Sequence, residues 1–207
     1  MPRSVFATIQ PVTNARGRRT RAALLAATRV ILEEQGFEGL TMGAVAEQAG
    51  VTRRAVYLHF SSRAELVGAL FDFVAQAEGL ADSLERVWRQ PDALSSLDAW
   101  ARHLASYHAR LLPVTRAIER VRHVDADAAA HHAHVVRAQR ANCRRLVRLL
   151  ERDGQLSPEW TPSAATDMLW ALISSDIVEG LLTERAWSPD RLAKHLALVF
   201  RSTFARQ

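Results

Sequence analysis

The chain of 207 residues has a single cysteine, Cys143, so it cannot form an internal disulfide or a zinc site made of several thiolates. A reducing, cytoplasmic location is the expectation. No run of about 18 apolar residues occurs, so no membrane-spanning helix is expected. The opening MPRSVFATIQPVTNARGRR has no apolar core, so it does not read as a secretory signal. The nine glycines are scattered. They form neither G-x-G-x-x-G nor a P-loop, and G-x-S-x-G and H-E-x-x-H are also missing, so no catalytic residue and no enzyme activity are expected. No β-branched alternating run is present, which argues against strands. Lysine is nearly absent: Lys194 is the one lysine among 27 basic residues.

What is present is arginine, unevenly placed. Residues 1–63 hold nine arginines against four glutamates, whereas residues 64–207 hold 18 basic and 18 acidic residues. The whole net charge of +5 therefore sits in the first third. Segregated positive charge points to a polyanion partner for that third and a different task for the remainder.

Residues 1–15 show no periodicity and read as a flexible arm. Helical spacing begins near Arg18 and carries Leu24, Ala27, Thr28 and Ile31 on one face, ending at Gly36. Three N-cap signals follow closely. Thr41 precedes MGAVAEQA, with Leu40 and Val45 placed as a hydrophobic staple; Thr52 precedes RRAVYLHF; Ser62 with Glu65 forms an S-x-x-E capping box. The rest reads as helices over 62–89, 92–111, 113–123, 126–152, 162–185 and 189–205, with prolines between them or in their first turns.

Two short helices joined at Ala49-Gly50-Val51-Thr52 fit a helix-turn-helix. Its second helix offers Thr52, Arg53, Arg54, Tyr57 and His59. Arginine can bond a guanine edge with two donors, and hydroxyls suit phosphates. The bland alternative is an exposed polar face. A different alternative is a helical ligand carrier whose basic third binds acidic membranes. That would need a longer amphipathic helix with aromatics on its apolar side, and the sharply capped pair of helices suits a DNA groove better.

The stretch LTMGAVAEQAGVTRRAVYLHF, within residues 18–64, resembles the helix-turn-helix of the TetR family of bacterial transcriptional regulators. The C-terminal DMLWALISSDIVEGLLTERAWSPDRLAKHLALVF resembles family members more weakly. One departure is Arg54, where many members have glycine. The resemblance implies an all-α protomer in which a three-helix DNA-binding domain with a helix-turn-helix, residues 16–62, joins a larger helical domain for effector binding and dimerisation, residues 63–207. It implies a homodimer on a palindromic double-stranded operator, most often a repressor released by a small molecule of unknown identity, with no other cofactor. By position, Thr41 would touch a phosphate. Thr52, Arg53 and Arg54 would face bases, and Tyr57 and His59 would touch the backbone. Arg63 matches a position that often bears a phosphate-binding lysine.

Four further groups have two readings each. Arg16, Arg18, Arg19 and Arg21 either reach DNA as part of an arm or form the solvated start of helix one. Trp88, Trp100, His103, Tyr107 and Trp170 either line an effector pocket or belong to the core. Trp170, Ile173, Ile177, Leu181, Leu192, Leu196, Val199 and Phe200 form apolar stripes, read as the dimer interface that the family builds from its last two helices; the alternative is burial within one subunit. Asp127, His131, His132 and His134 have metal-ligand spacing, yet a polar helix start with solvated histidines is the simpler reading, and no metal is expected. Cys143 beside Arg144 and Arg145 has no partner cysteine for a redox switch.

Overall fold

The computed structural model describes residues 15–77 and 79–206. It is built of helices: α1 (Ala15–Gln35), α2 (Met42–Gln48), α3 (Arg53–His59), α4 (Arg63–Ala77), α5 (Leu80–Trp88), α6 (Ala93–Val121), α7 (Ala126–Arg152), α8 (Pro162–Ala171), α9 (Ser175–Glu179) and α10 (Pro189–Phe204). A five-residue π turn, Gly180–Glu184, follows α9. Among the described residues the one β-type pairing is an isolated bridge between Leu156 and Ala205. The helices fall into two compact units. One joins the described residues through Ala77 to Pro113–Val135; the other contains the described residues between Glu78 and Leu112 and from Val136 onward.

Three helix boundaries differ from the sequence expectation. The span 62–89 divides into α4 and α5 because Gly79 takes the left-handed conformation, φ 65°, that side chains resist. The spans 92–111 and 113–123 fuse into α6, with the exposed Pro113 inside it. Proline costs a helix one N–H bond, and this 29-residue helix continues past it. The span 162–185 breaks after α8 and resumes as α9 and the π turn, beyond which Ala186 sits at φ 49°.

In the first unit the apolar faces of α1–α4 meet around Leu24, Ile31, Phe37, Leu40, Val45, Val56, Phe60, Leu66 and Leu70, all essentially without exposure. The staple of Leu40 and Val45 is therefore real core. In the second unit Val87, Leu97, Trp100, Leu104, Leu146, Leu150, Leu169, Leu192, Phe200 and Phe204 form one cluster. Polar bonds fix its perimeter. Asp98 accepts two bonds from Arg201 at 2.7 and 2.6 Å, and Trp160 donates its indole N–H to the Thr203 carbonyl at 2.7 Å. Among the described residues no helix is long and apolar enough to cross a membrane.

Candidate nucleic-acid interface

The turn between α2 and α3 closes through backbone bonds, with the Val51 N–H donating to the Ala46 carbonyl at 2.9 Å. Gly50 makes this possible at φ 65°. On each side a threonine caps the next helix: Thr41 Oγ1 accepts from the Ala44 N–H at 3.0 Å, and Thr52 Oγ1 accepts from the Ala55 N–H at 3.2 Å. An accepting hydroxyl keeps its own proton, so both exposed threonines retain a donor for an anionic oxygen.

Val56 is fully buried and seats α3 on the core, and this fixes which side chains face outward. Thr52, Arg53, Arg54 and Tyr57 are exposed, Tyr57 at 47%. The Arg53 guanidinium lies 5.8 Å from the Tyr57 ring centre and 3.5 Å from its hydroxyl, so the two form one loose outward group. Leu58, 77% exposed, is a residue that sequence reasoning missed. Apolar residues on a two-turn helix read as core, and its outward direction emerges only once Val56 is seen to be the anchor.

His59 is half-buried, and burial first, then the charge of Arg21, lowers its pKa. Its carbonyl accepts a bond from Arg21 Nη1 at 3.1 Å, while the same guanidinium lies 4.2 Å over the Phe60 ring. Arg21 therefore ties α1 to the end of α3. Its head group is engaged within the unit. Arg16, Arg18 and Arg19 are exposed and helical, in the first turns of α1. Residues 1–14 of the expected arm lie outside the described residues.

Arg63 is also engaged. Its guanidinium pairs with Asp125 and reaches Asp127 at 3.5 Å, lies 4.5 Å over the Phe37 ring, and donates to the Leu40 carbonyl at 3.5 Å. The expected capping box forms with a shift of one residue. Ser62 Oγ accepts from the Glu65 N–H at 3.1 Å, but Glu65 reaches back to the N–H and hydroxyl of Ser61 at 2.7 and 2.6 Å. Those bonds hold its carboxylate below the usual pKa.

The histidine cluster is not uniformly solvated. His131 is buried with its ring 4.4 Å from that of Phe71, and burial pushes its pKa down to about 4. His132 instead meets Arg122 at 2.8 Å, and Asp127 belongs to Arg63. Among the described residues no three metal-binding side chains are grouped. In the second unit Trp88, Trp100, His103 and Tyr107 form a continuous line of ring contacts, with Trp100 and His103 in the core and Trp170 partly buried beside it. The two apolar stripes divide. Ile173, Leu192, Leu196 and Phe200 are buried in the protomer's own core, as in the alternative reading of the stripes; Ile177 and Val199 stay exposed, and Trp170 and Leu181 pack on the core edge. Cys143 is buried among apolar neighbours that push its thiol up to about 12, while Arg144 is exposed and Arg145 lies 4.1 Å over the Trp88 ring.

Residues 24–70 match the family described as bacterial regulatory proteins, tetR family. Over that segment the chain is similar to the TetR family. Over 85 residues it is 36% identical to the probable HTH-type transcriptional regulator ArpR of Pseudomonas putida, a stretch covering 41% of this chain and 39% of that protein. The match to this relative thus spans about two fifths of its length. Structural likeness extends further. The chain superposes on NalD, the secondary repressor of the MexAB-OprM multidrug efflux pump in Pseudomonas aeruginosa, with a TM-score of 0.72, 25% identity, and 93% and 98% of the two chains covered. It shares its fold with SmeT, solved as a triclosan complex, at a TM-score of 0.70 and 19% identity over 91% and 93% of the two chains.

Proposed function

We propose that this chain is a cytoplasmic, homodimeric, sequence-specific transcriptional repressor that leaves a palindromic operator when a small molecule binds. The observation that supports it most is the doubly capped helix-turn-helix with Thr52, Arg53, Arg54 and Tyr57 exposed on the second helix, in the third of the chain that holds the whole positive surplus. In this reading residues 16–62 bind DNA and residues 63–207 carry effector binding and dimerisation. Arg53 and Arg54 read base edges. Thr41, Tyr57 and His59 hold phosphates, and Leu58 is placed to meet a thymine methyl. Arg63 then has a positioning task, because its guanidinium is shared among Asp125, Asp127, Phe37 and Leu40. Small-molecule release is supported by the neighbour SmeT, solved with triclosan.

A two-fold dimer sets its recognition helices about 34–36 Å apart, one turn of DNA or a multiple of it. An effector that favours another spacing weakens operator binding by the coupling energy, typically about 1–3 kcal/mol. The test is selection of sites from random duplex DNA near physiological salt. A recovered palindrome is the expected result. No enrichment, even after unfolding and refolding to strip any bound molecule, would overturn the reading.

A further inference from the structure

Like charges side by side on a helix repel, so a row of them is not explained by folding. α7 carries such a row. Between Asp127 and Glu151 it holds Arg137, Arg140, Arg144, Arg145 and Arg148 and no acid. Residues 64–207 are neutral in sum, so this is a local surplus. Cys143, Leu146, Val147 and Leu150 seat the helix on the core of the second unit, and this turns the arginines outward. All five are exposed. Two of them have contacts within the unit: Arg140 bonds Asp167 of α8 at 3.0 and 2.7 Å, and Arg145 lies 4.1 Å over the Trp88 ring. Arg137, Arg144 and Arg148 stand seven and four residues apart, on one face, over about 16 Å of helix. Ala141 faces outward among them, and its small side chain lets a partner come close to the helix.

We propose that the Arg137–Arg144–Arg148 face of α7 docks an acidic helix of a partner protein. A guanidinium meets a carboxylate through two parallel N–H bonds, which gives such a contact direction as well as strength. Carboxylates four and three residues apart share one face of a helix, so a single helix laid along α7 can meet the whole stripe. The borders of the stripe select a narrow partner. Exposed Asp167 lies along one side, held there by Arg140, and exposed Glu151 stands at the C-terminal end. A nucleic-acid duplex spreads its phosphates over both strands and would meet those carboxylates too, whereas one helix fits between them. This face is independent of the operator reading above, since none of its residues belongs to the helix-turn-helix.

Fluorescence anisotropy with the full chain tests the proposal. The probe is a labelled, alanine-rich helical peptide of about 16 residues with glutamates alternately four and three apart, so that they share a face. The control has the same composition with its glutamates spread around the helix. The aligned peptide is expected to bind about tenfold tighter than the control, and to weaken about tenfold between about 0.05 M and about 0.3 M salt. Arg144→Gln combined with Arg148→Gln is expected to weaken it about tenfold, to leave affinity for duplex DNA unchanged, and not to lower the melting temperature, because it relieves like-charge repulsion. Equal binding of the two peptides overturns the proposal, and so does aligned-peptide binding that the double variant leaves intact. A double variant that loses affinity for duplex DNA assigns the stripe to nucleic acid, and one that changes the oligomeric state in sedimentation assigns it to a second copy; either result overturns the proposal. The comparison of peptides on the native chain stands even if the variant fails to fold. A palindrome recovered without peptide binding overturns this docking face and leaves the repressor reading intact.

Discussion

Arg54 and Arg21 are both arginines of the basic third, and their surroundings separate their tasks. Arg21 is half-buried, bonded to the His59 carbonyl and laid over Phe60, so its charge is used to hold the motif together. Arg54 is exposed on the first turn of α3. A bidentate contact with a base contributes about 1–3 kcal/mol of discrimination. Arg54→Gly is therefore expected to change the preferred operator, while affinity for unrelated DNA falls only by the loss of one charge. Competition across a randomised operator pool measures this, and unchanged discrimination would show that Arg54 reads no base.

At the scale of elements, the turn between α2 and α3 depends on one glycine. Gly50 sits at φ 65°, and a Cβ added there would meet nothing within 4 Å. The cost of Gly50→Ala is thus purely conformational, about 1–2 kcal/mol for a side chain in the left-handed region. Denaturant unfolding should show that loss with the slope unchanged; equal stability would mean that the turn relaxes to another conformation. Such features were legible in the sequence because they are local. Thr41 and Thr52 cap the residues three positions on, and Gly50 answers a demand of its own backbone. The misread features depend on neighbours distant in the chain. Gly79 breaks a helix where Gly68 is accommodated inside one, and Pro113 is carried within α6. Periodicity put Leu192, Leu196 and Phe200 on an apolar stripe without showing that the protomer's own core covers it. The partners of Arg63, from Phe37 and Leu40 to Asp125 and Asp127, lie tens of residues away in sequence, so no spacing rule reaches all of them.

At the scale of the whole molecule, two properties follow from what is exposed and what is buried. Among the described residues of the second unit Met168, Ile177, Val199 and Leu198 are exposed, the last at 64%, and in the homodimer proposed above these are candidates for a second copy to cover. Leu198→Glu is expected to shift the protein toward monomer in sedimentation and to weaken operator binding with it; an unchanged dimer would place the interface elsewhere. The buried histidines set the response to acid. His103, His108 and His131 have pKa values lowered to about 4 by burial, against about 6.5 in an unfolded chain. Between those values the unfolded state binds more protons, so stability falls as pH drops below 6.5, and the full loss is reached near pH 4. Each shift corresponds to about 3 kcal/mol if fully expressed. Asp72 acts with the opposite sign. Burial raises its pKa to about 6, against the pull of His134 and Arg21, so its folded state gains relative stability on acidification and carries the cost above pH 6. That single carboxyl is partly open to solvent, which reduces its effect, so the three histidines dominate. The melting temperature is expected to be highest near neutral pH and to fall markedly between pH 6.5 and pH 4. His103→Phe should reduce the fall by about a third, since it removes one of three comparable contributions. Asp72→Asn should stabilise the protein at pH 7.5 and have no effect near pH 4. Melting curves across that range decide the matter: a flat profile would show that the histidines find protonated-state partners that burial alone does not allow them.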